Sequence, residues 1–333
     1  MPEVVVGLDL HLKRTQGTVM TADGKVVKQE RFPTTRRDLA EFLHGLPEGT
    51  EVALEAQGFC WPWIDLIEEL GYRPLLVNPV RAKQRAEDVK TDRVDSEVLA
   101  HLTRMNWLPT VYVPGRELRQ LRNLVHHRIF LQRLSTALKN RTWSEFRKRG
   151  IEFSAGLSSQ RGREIARLTG VQEICQNVEI LDFIEAQRKR IDAVLMERYG
   201  RLKPVRLLQT IPGIGFVTAL GMYAEICDIR RFPSPDRLAH YAGLVPRVMQ
   251  SGEGTRFGRE AKGNRWLKWL FIEAAWSHVN WCREGWLANV FRDACRRKRD
   301  SKKAIKIVAR KLVNVVWAVL THEEEFKVIP DKA

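Results

Sequence analysis

The sequence predicts an α/β domain followed by a mainly helical second half. Two observations carry that prediction. Up to about residue 115, short β-rich runs alternate with short helical patterns, the signature of a sheet with helices on its faces. From about Arg116 onward, apolar residues recur at helical spacing almost to the C-terminus. A third observation bears on partners: 56 Lys and Arg stand against 40 Asp and Glu, a net charge of +16 that suits a polyanion. At 333 residues the chain divides into an expected 1–115 acidic α/β domain, a 116–200 helical coiled-coil linker and a 201–325 C-terminal domain.

The first element is Val4 to Leu10, an apolar run of the kind found in a central strand, with Asp9 set near its end. An ionised carboxylate there is costly unless something neutralises it. Thr15 to Thr21 and Lys25 to Phe32 follow as β-rich runs around Ala22-Asp23-Gly24, and Asp-Gly is a strong hairpin signal, so the domain opens as a three-stranded antiparallel meander. Thr34 or Thr35 caps a helix reaching about His44, with Leu39, Phe42 and Leu43 on its apolar face. A strand from Glu51 to Glu55, a helix from about Phe59 to Leu70 and a strand from Pro74 to Val77 complete the pattern. The order βββαβαβα is that of a ribonuclease H-like domain. Acidic residues in that fold lie at the ends of its first and fourth strands and on a helix after the last strand. Asp9, Glu55, and the pair Asp92 and Asp95 hold those places. Positions i and i+3 share a helix face, so Asp92 and Asp95 can address one metal. An all-oxygen set suits Mg²⁺, or Mn²⁺. Each carboxylate alone also reads as a capping or solvated group; their order along the chain favours the metal reading.

From about Arg116 to Arg149 Leu121, Leu124, Leu131, Leu134 and Leu138 form a heptad-like seam interrupted by Arg128. A second helix from about Val171 to Tyr199 carries Ile174, Leu181, Ile184, Ile191 and Leu195 on one side. Two such helices fit a dimerising arm or a pair of core helices. Between them, 150–170 reads as a connection or a short helix.

At Ile211-Pro212-Gly213-Ile214-Gly215 two helices meet in a helix-hairpin-helix pattern, where Gly213 and Gly215 let backbone N–H groups approach a DNA phosphate. Gln250-Ser251-Gly252 then precedes a basic, Gly-punctuated run to Arg265 that reads as a loop. Arg247, Arg256, Arg259 and Lys262 around it can reach phosphates. By physics alone a Ser-Gly pair is most often a turn. The tail has Lys303, Lys306 and Arg310 on a basic face, opposite an apolar stripe of Ile305, Val308, Leu312, Val316 and Val319. Trp266, Trp269, Trp276, Trp281 and Trp286 fall mostly at helical spacing and are expected in the core. Five scattered cysteines without a C-x-x-C pair argue against a zinc site or a disulfide framework.

Taken together, Gly7-Leu8-Asp9, Leu54-Glu55-Ala56-Gln57-Gly58, Lys90-Thr91-Asp92-Arg93-Val94-Asp95, Ile211 to Gly215, Tyr241-Ala242-Gly243-Leu244-Val245-Pro246 and Gln250-Ser251-Gly252 resemble the DEDD transposases of the insertion-sequence one-ten family, relatives of the Piv-type DNA invertases. The resemblance spans nearly the whole chain. It implies a RuvC-like domain with Asp9, Glu55, Asp92 and Asp95 as the acidic set, and Ser251 as nucleophile in a helical C-terminal domain. It also implies donor and target DNA as substrates, a structured non-coding bridge RNA as guide, and exchange through a phosphoserine intermediate. Because the acidic set and Ser251 lie far apart in sequence, a homodimer assembling to a tetramer, with a composite site, is expected. No apolar run nears the roughly 20 residues of a membrane span, and Met1-Pro2-Glu3 carries no basic leader, so the expected location is the bacterial cytoplasm, at the nucleoid.

Overall fold

The computed structural model describes residues 3–79, 92–251, 254–260 and 263–327, and of 92–93, 247–251 and 254–260 it describes the backbone. The chain separates into two compact units, Met1–Arg116 and Glu117–Ala333.

The first unit is built on β1 (Val4–Leu10), whose last six residues are all buried. It sits in the middle of a five-stranded sheet of order β3-β2-β1-β4-β5. Strands β2 (Arg14–Thr21) and β3 (Val26–Pro33) run antiparallel to their neighbours, so the meander forms as the Asp-Gly signal predicts. Strands β4 (Glu51–Glu55) and β5 (Arg73–Val77) run parallel to β1. This is the ribonuclease H-like arrangement, and it follows from the sequence: a two-residue turn can join antiparallel strands only, whereas a parallel return needs a crossover helix. The edge strand β3 carries Lys28, Glu30 and Arg31, charges that discourage pairing with another chain.

The crossover helices are α1 (Arg36–Leu43), capped by Thr35 accepting from the Asp38 N–H at 3.1 Å, and α2 (Trp61–Glu69), with a proline in its first turn. Both pack on the sheet face made by Val6, Leu8, Leu10, Val52 and Leu54. Helix α3 (Asp92–Arg104) covers the opposite face, where Leu99 meets Ala53 and Val77, and Ala100 meets Val5 and Met20.

The second unit is helical: α4 (Arg116–Lys148), α5 (Gln160–Arg167), α6 (Gln172–Tyr199), α7 (Lys203–Gln209), α8 (Phe216–Ile226), α9 (Pro235–Tyr241), α10 (Arg265–Trp281), α11 (Trp286–Lys298) and α12 (Ser301–His322). The buried stripe of α4 runs through Leu121, Val125, Ile129 and Leu131, while Leu134 of the expected seam is 38% exposed. The stripe drifts because an α-helix has 3.6 residues per turn, and steps of four keep better pace with a flat partner than strict heptads. The first half of α4 joins the main core with Leu208, Leu220, Phe271 and Val308. Its second half helps to build a separate small core of Phe146, Leu157, Ala166, Ile174, Val178 and Leu181 with α5 and α6. Arg128, which interrupts the seam, donates to Asp192 on α6 at 3.0 Å. Trp266, Trp269, Trp276 and Trp286 pack against the main core, but Trp281 does not: it ends α10 and is 83% exposed. No helix of the described residues is long and apolar enough to cross a membrane.

One element differs from the sequence reading. The run after Pro246 read as a loop, yet β6 (Pro246–Ser251) and β7 (Gly254–Glu260) pair antiparallel, with a register irregularity between Pro246 and Val248. Glycines and arginines hid the strand signal, but Val248, Thr255 and Phe257 supply it in paired registers.

Candidate functional site

In the first unit, backbone register places the predicted acidic residues. Val5 pairs with Glu51 and Leu8 with Leu54 in parallel register, so the next residues along, Asp9 and Glu55, are cross-strand neighbours on one face. Adjacent strands lie about 4.8 Å apart. Asp9 is 7% exposed, and Glu55 is half-buried.

Gly7 shows which face this is. A Cβ at Gly7 would lie 2.1 Å from the Ser96 carbonyl oxygen and 2.6 Å from the Ala100 nitrogen, so α3 rests directly on β1 at this residue. Asp9, two residues on, faces the same side. Since Ala100 packs at Val5 and Ser96 at Gly7, α3 runs antiparallel to β1. The first turn of α3, with Asp92 and Asp95, is therefore directed to the end of the sheet where Asp9 and Glu55 sit. Asp95 is exposed there, and the side chain of Asp92 is outside the described residues. A buried hydrogen bond of 2.8 Å between the hydroxyls of Thr18 and Ser96 fastens α3 to β2, and Gln29 Nε2 donates to Thr18 Oγ1 at 3.0 Å.

The sequence reading missed His11, whose Nε2 donates to Asp9 Oδ2 at 3.0 Å. Its signal was the i+2 spacing from Asp9 just past the strand end. Among the described residues no three His, Cys, Asp or Glu side chains form a ready cation cage. Asp9, Glu55 and Asp95 bring carboxylates to this end of the sheet, and oxygen donors are the chemistry that suits a hard divalent cation.

The second unit holds the other predicted residues. Ser251 is the last residue of β6 and pairs with Gly254, so it stands at the turn of the hairpin. Arg247 lies on β6, and Arg256 and Arg259 on β7, while Gly252 and Lys262 lie outside the described residues. The predicted helix pair is α7 and α8. Gly213, with φ +92°, is pressed against α10: a Cβ there would lie 2.6 Å from the His278 nitrogen, and His278 Nδ1 donates to the Pro212 carbonyl at 2.7 Å. Its close approach is thus to a helix of its own unit. Gly215, exposed and with open space where a Cβ would stand, precedes α8 as its N-cap. Lys303, Lys306 and Arg310 all lie on α12.

A buried carboxylate, Glu225 of α8, was not foreseen. It is 2% exposed and accepts from His126 Nε2 at 2.7 Å and from the Asn264 amide, with Arg122 at 3.5 Å. Burial alone pushes its carboxyl up, but the bond from His126, the charge of Arg122 and the Asn264 amide together hold it below the usual carboxylate range. Asn264 follows β7, caps α10 by accepting from the Trp266 and Leu267 N–H groups at 3.0 Å, and donates its own N–H to the Tyr241 carbonyl at 2.7 Å. Glu225 therefore anchors the N-cap residue of α10, four positions after β7 ends. No motif marked it, because a Glu in a short apolar helix has no local signature.

Comparison with known proteins agrees with both halves. A DEDD transposase family model of the IS110 type matches residues 6–145, and the model for the transposase IS116/IS110/IS902 family matches residues 205–291. The transposase for insertion sequence element IS1111A of Coxiella burnetii is 25% identical, over 97% of this chain and 91% of that protein. A probable family 20 transposase of Pseudomonas aeruginosa is 26% identical, over 96% of this chain and 97% of that one. A structure of T. thermophilus RuvC in complex with a Holliday junction substrate aligns with 32% of this chain and 99% of its own, at 16% identity and a TM-score of 0.26. The strand order β3-β2-β1-β4-β5 is what defines the ribonuclease H-like fold of the first unit. Models of one DEDD transposase family, IS110/IS116, thus match both halves of the chain, and the relatives it resembles over nearly its whole length are transposases of insertion sequences.

Proposed function

We propose that the chain cuts and rejoins DNA through a covalent link to Ser251, with the acidic end of the first unit's sheet preparing the phosphate. The observation that supports this most is the convergence of β1, β4 and the start of α3, which gathers carboxylates at one end of the sheet in a chain that matches transposase models. Asp9, Glu55, Asp92 and Asp95 are the residues proposed to hold Mg²⁺ or Mn²⁺. Such a cation, when bound, withdraws charge from a phosphate and favours an alkoxide nearby. His11 holds one oxygen of Asp9 and so orients the carboxylate.

In the proposed step Ser251 Oγ forms a bond to phosphorus, and the bond from phosphorus to the departing sugar oxygen breaks. The hydroxyl proton passes, in the net, to that oxygen. The product is a phosphoserine-linked end and a free sugar hydroxyl. The hydroxyl of the exchanged strand reverses the step and releases the serine, so no phosphodiester energy is lost to water. Arg247, Arg256, Arg259 and Lys262, which flank Ser251 in sequence, are proposed to contact the phosphate, and Gly215, at the open start of α8, a neighbouring one.

Guidance by a structured bridge RNA and assembly as a dimer that forms a tetramer are part of this reading, supported by the high positive charge and by the family. The deciding experiment is to trap the adduct: with Mg²⁺ and an end-labelled target, the parent chain should give a protein–DNA band on a denaturing gel and Ser251→Ala none. Cleavage by Ser251→Ala at the parental rate would mean that water attacks instead. Removal of RNA by ribonuclease should abolish target choice, and unchanged targeting would refute the guide.

A further inference from the structure

Ser251 sits on an excursion of the chain between α9 and α10, and the two ends of that excursion meet. The chain leaves α9 through Gly243, at φ +68°. There the Gly243 N–H donates to the His240 carbonyl at 3.0 Å, and the Leu244 N–H to the Ala239 carbonyl at 2.9 Å. This pair of bonds is a Schellman ending, which fixes the direction in which the chain departs for β6. After β7 the chain returns onto the same place. A Cβ at Gly263 would lie 2.4 Å from the Gly243 nitrogen, and the Asn264 N–H donates to the Tyr241 carbonyl at 2.7 Å.

Asn264 locks this base, and it does more than cap a helix. Its Oδ1 accepts from the Trp266 and Leu267 N–H groups, so its side-chain amide nitrogen is left to donate. That nitrogen donates to Glu225 and, at 3.3 Å, to the Tyr241 hydroxyl. Asp or Ser would cap α10 as well as Asn does. Asp would set a second carboxylate against Glu225, and Ser has no second arm to donate. The residue type at 264 is therefore matched to the buried carboxylate at 225. Glu225 is in turn fixed from α4. His126 donates to it at 2.7 Å while its ring stacks on Trp266 at 3.9 Å, and Arg122 donates to the neighbouring Ala224 carbonyl at 2.9 Å.

Leverage ties this base to the serine. From Pro246 to Ser251 the strand spans at most about 17 Å, so a tilt of about 5° at the base would move the tip by about 1.5 Å. A misplacement of about 1 Å at a reacting atom can cost about a hundredfold in rate.

We propose that Glu225, through Asn264, is a positioning residue for Ser251: it closes the base of the β6–β7 hairpin and so holds the serine where it attacks. The link to the reaction rests on the proposed role of Ser251, whereas the closed base stands on the contacts themselves.

The test exchanges the two groups. Glu225→Gln and Asn264→Asp are made singly and together in the full chain, with Ser159→Ala, which removes the side-chain cap of α5, as the control for lost stability alone. In the first variant, either orientation of a Gln at 225 turns its amide nitrogen toward a donor, His126 or Asn264. In the second, two carboxylates face each other. In the pair, a Gln at 225 accepts from His126 and donates to an Asp at 264, so the bonds are remade with the charge moved across. Circular dichroism verifies folding, and hydrogen exchange by mass spectrometry follows peptides from 246–260. The adduct assay gives the rate at saturating DNA, and fluorescence anisotropy gives the Kd for the target.

Each single variant should exchange about tenfold faster over 246–260 and form adduct about tenfold more slowly, with Kd unchanged. The double variant should return both to within about threefold of the parent, because coupled changes do not add. Ser159→Ala should match the parent. Losses in the double variant equal to the product of the single losses would overturn the link between the two residues. Parental exchange in the single variants would overturn the clamp, and faster exchange with a parental adduct rate would overturn the positioning of Ser251. A loss in Ser159→Ala equal to that in Glu225→Gln would overturn both, leaving an effect of stability alone. If Ser251→Ala still forms the adduct, the reading of Ser251 fails while the exchange pattern still decides the clamp, so the two failures are distinct.

Discussion

The two units of this chain hold their buried carboxylates by different means. Asp9 is placed by the backbone: strand register makes it a neighbour of Glu55, and Gly7 lets α3 lie close enough to turn its first residues to the same end of the sheet. Glu225 is placed by side chains: His126 and Arg122 from α4 and Asn264 from the cap of α10 converge on it. The first arrangement brings carboxylates to one end of the sheet, where His11 donates to Asp9. The second cancels a negative charge internally and fixes the cap of α10. Carboxylates brought together by backbone register are therefore the better sign of chemistry, and a buried charge enclosed by side chains the better sign of positioning.

Several measurements can break or sharpen this contrast. The largest effect is expected for Ser251→Ala, which should reduce strand exchange by three orders of magnitude or more, on the order of losing any nucleophile. It should leave the unfolding midpoint in urea unchanged, because the residue ends a strand at a turn. Asp9→Asn keeps the size and the bond from His11 but removes the charge, so cleavage should fall by roughly a hundredfold or more. Mn²⁺ affinity, followed by electron paramagnetic resonance, should fall with it. An unchanged affinity would show that Asp9 is merely structural.

Gly7→Ala touches no carboxylate, yet its new methyl group would meet the backbone of α3 at Ser96. A stability loss of roughly 1–3 kcal/mol is expected from overpacking. Weaker Mn²⁺ binding should accompany it, because the turn bearing Asp92 and Asp95 is displaced. Normal Mn²⁺ binding in this variant would break the claim that register and close packing build the acidic end.

Glu225→Gln should show the smallest effect, about 2 kcal/mol of stability at neutral pH, the scale of hydrogen bonds to a charged group. The sign of its pH dependence follows from the depressed carboxyl. The contribution is full above the unfolded value, near 4.3, and is lost as the pH falls through the lower folded value. The gap in urea midpoint between parent and variant should therefore close on acidification below about pH 4. A gap that widens in acid would reverse the assignment.

Much of the first unit was legible beforehand. The run Val4 to Leu10, the Asp-Gly hairpin, and the alternation of strand and helix each had a local cause, and the strands and helices formed within a few residues of the expected limits. Places where reading failed had none. The β6–β7 hairpin was masked by glycine and arginine, Trp281 followed helical spacing but stands where α10 ends in solvent, and Leu134 fell off the buried stripe as the helix turned. The partners of Glu225 come from α4 and from the cap of α10, and no window of sequence contains His126 together with Asn264.

The sequence by itself determined the order of elements, the surplus of positive charge and the identities of the carboxylates and the serine, because these are properties of residues and their near neighbours. Only the tertiary structure decided that Gly7 is the seat of α3, that Gly213 is pressed on α10 and that Glu225 has three partners. Those facts depend on elements far apart in the chain approaching within a few ångströms, and no local propensity encodes the face on which they meet.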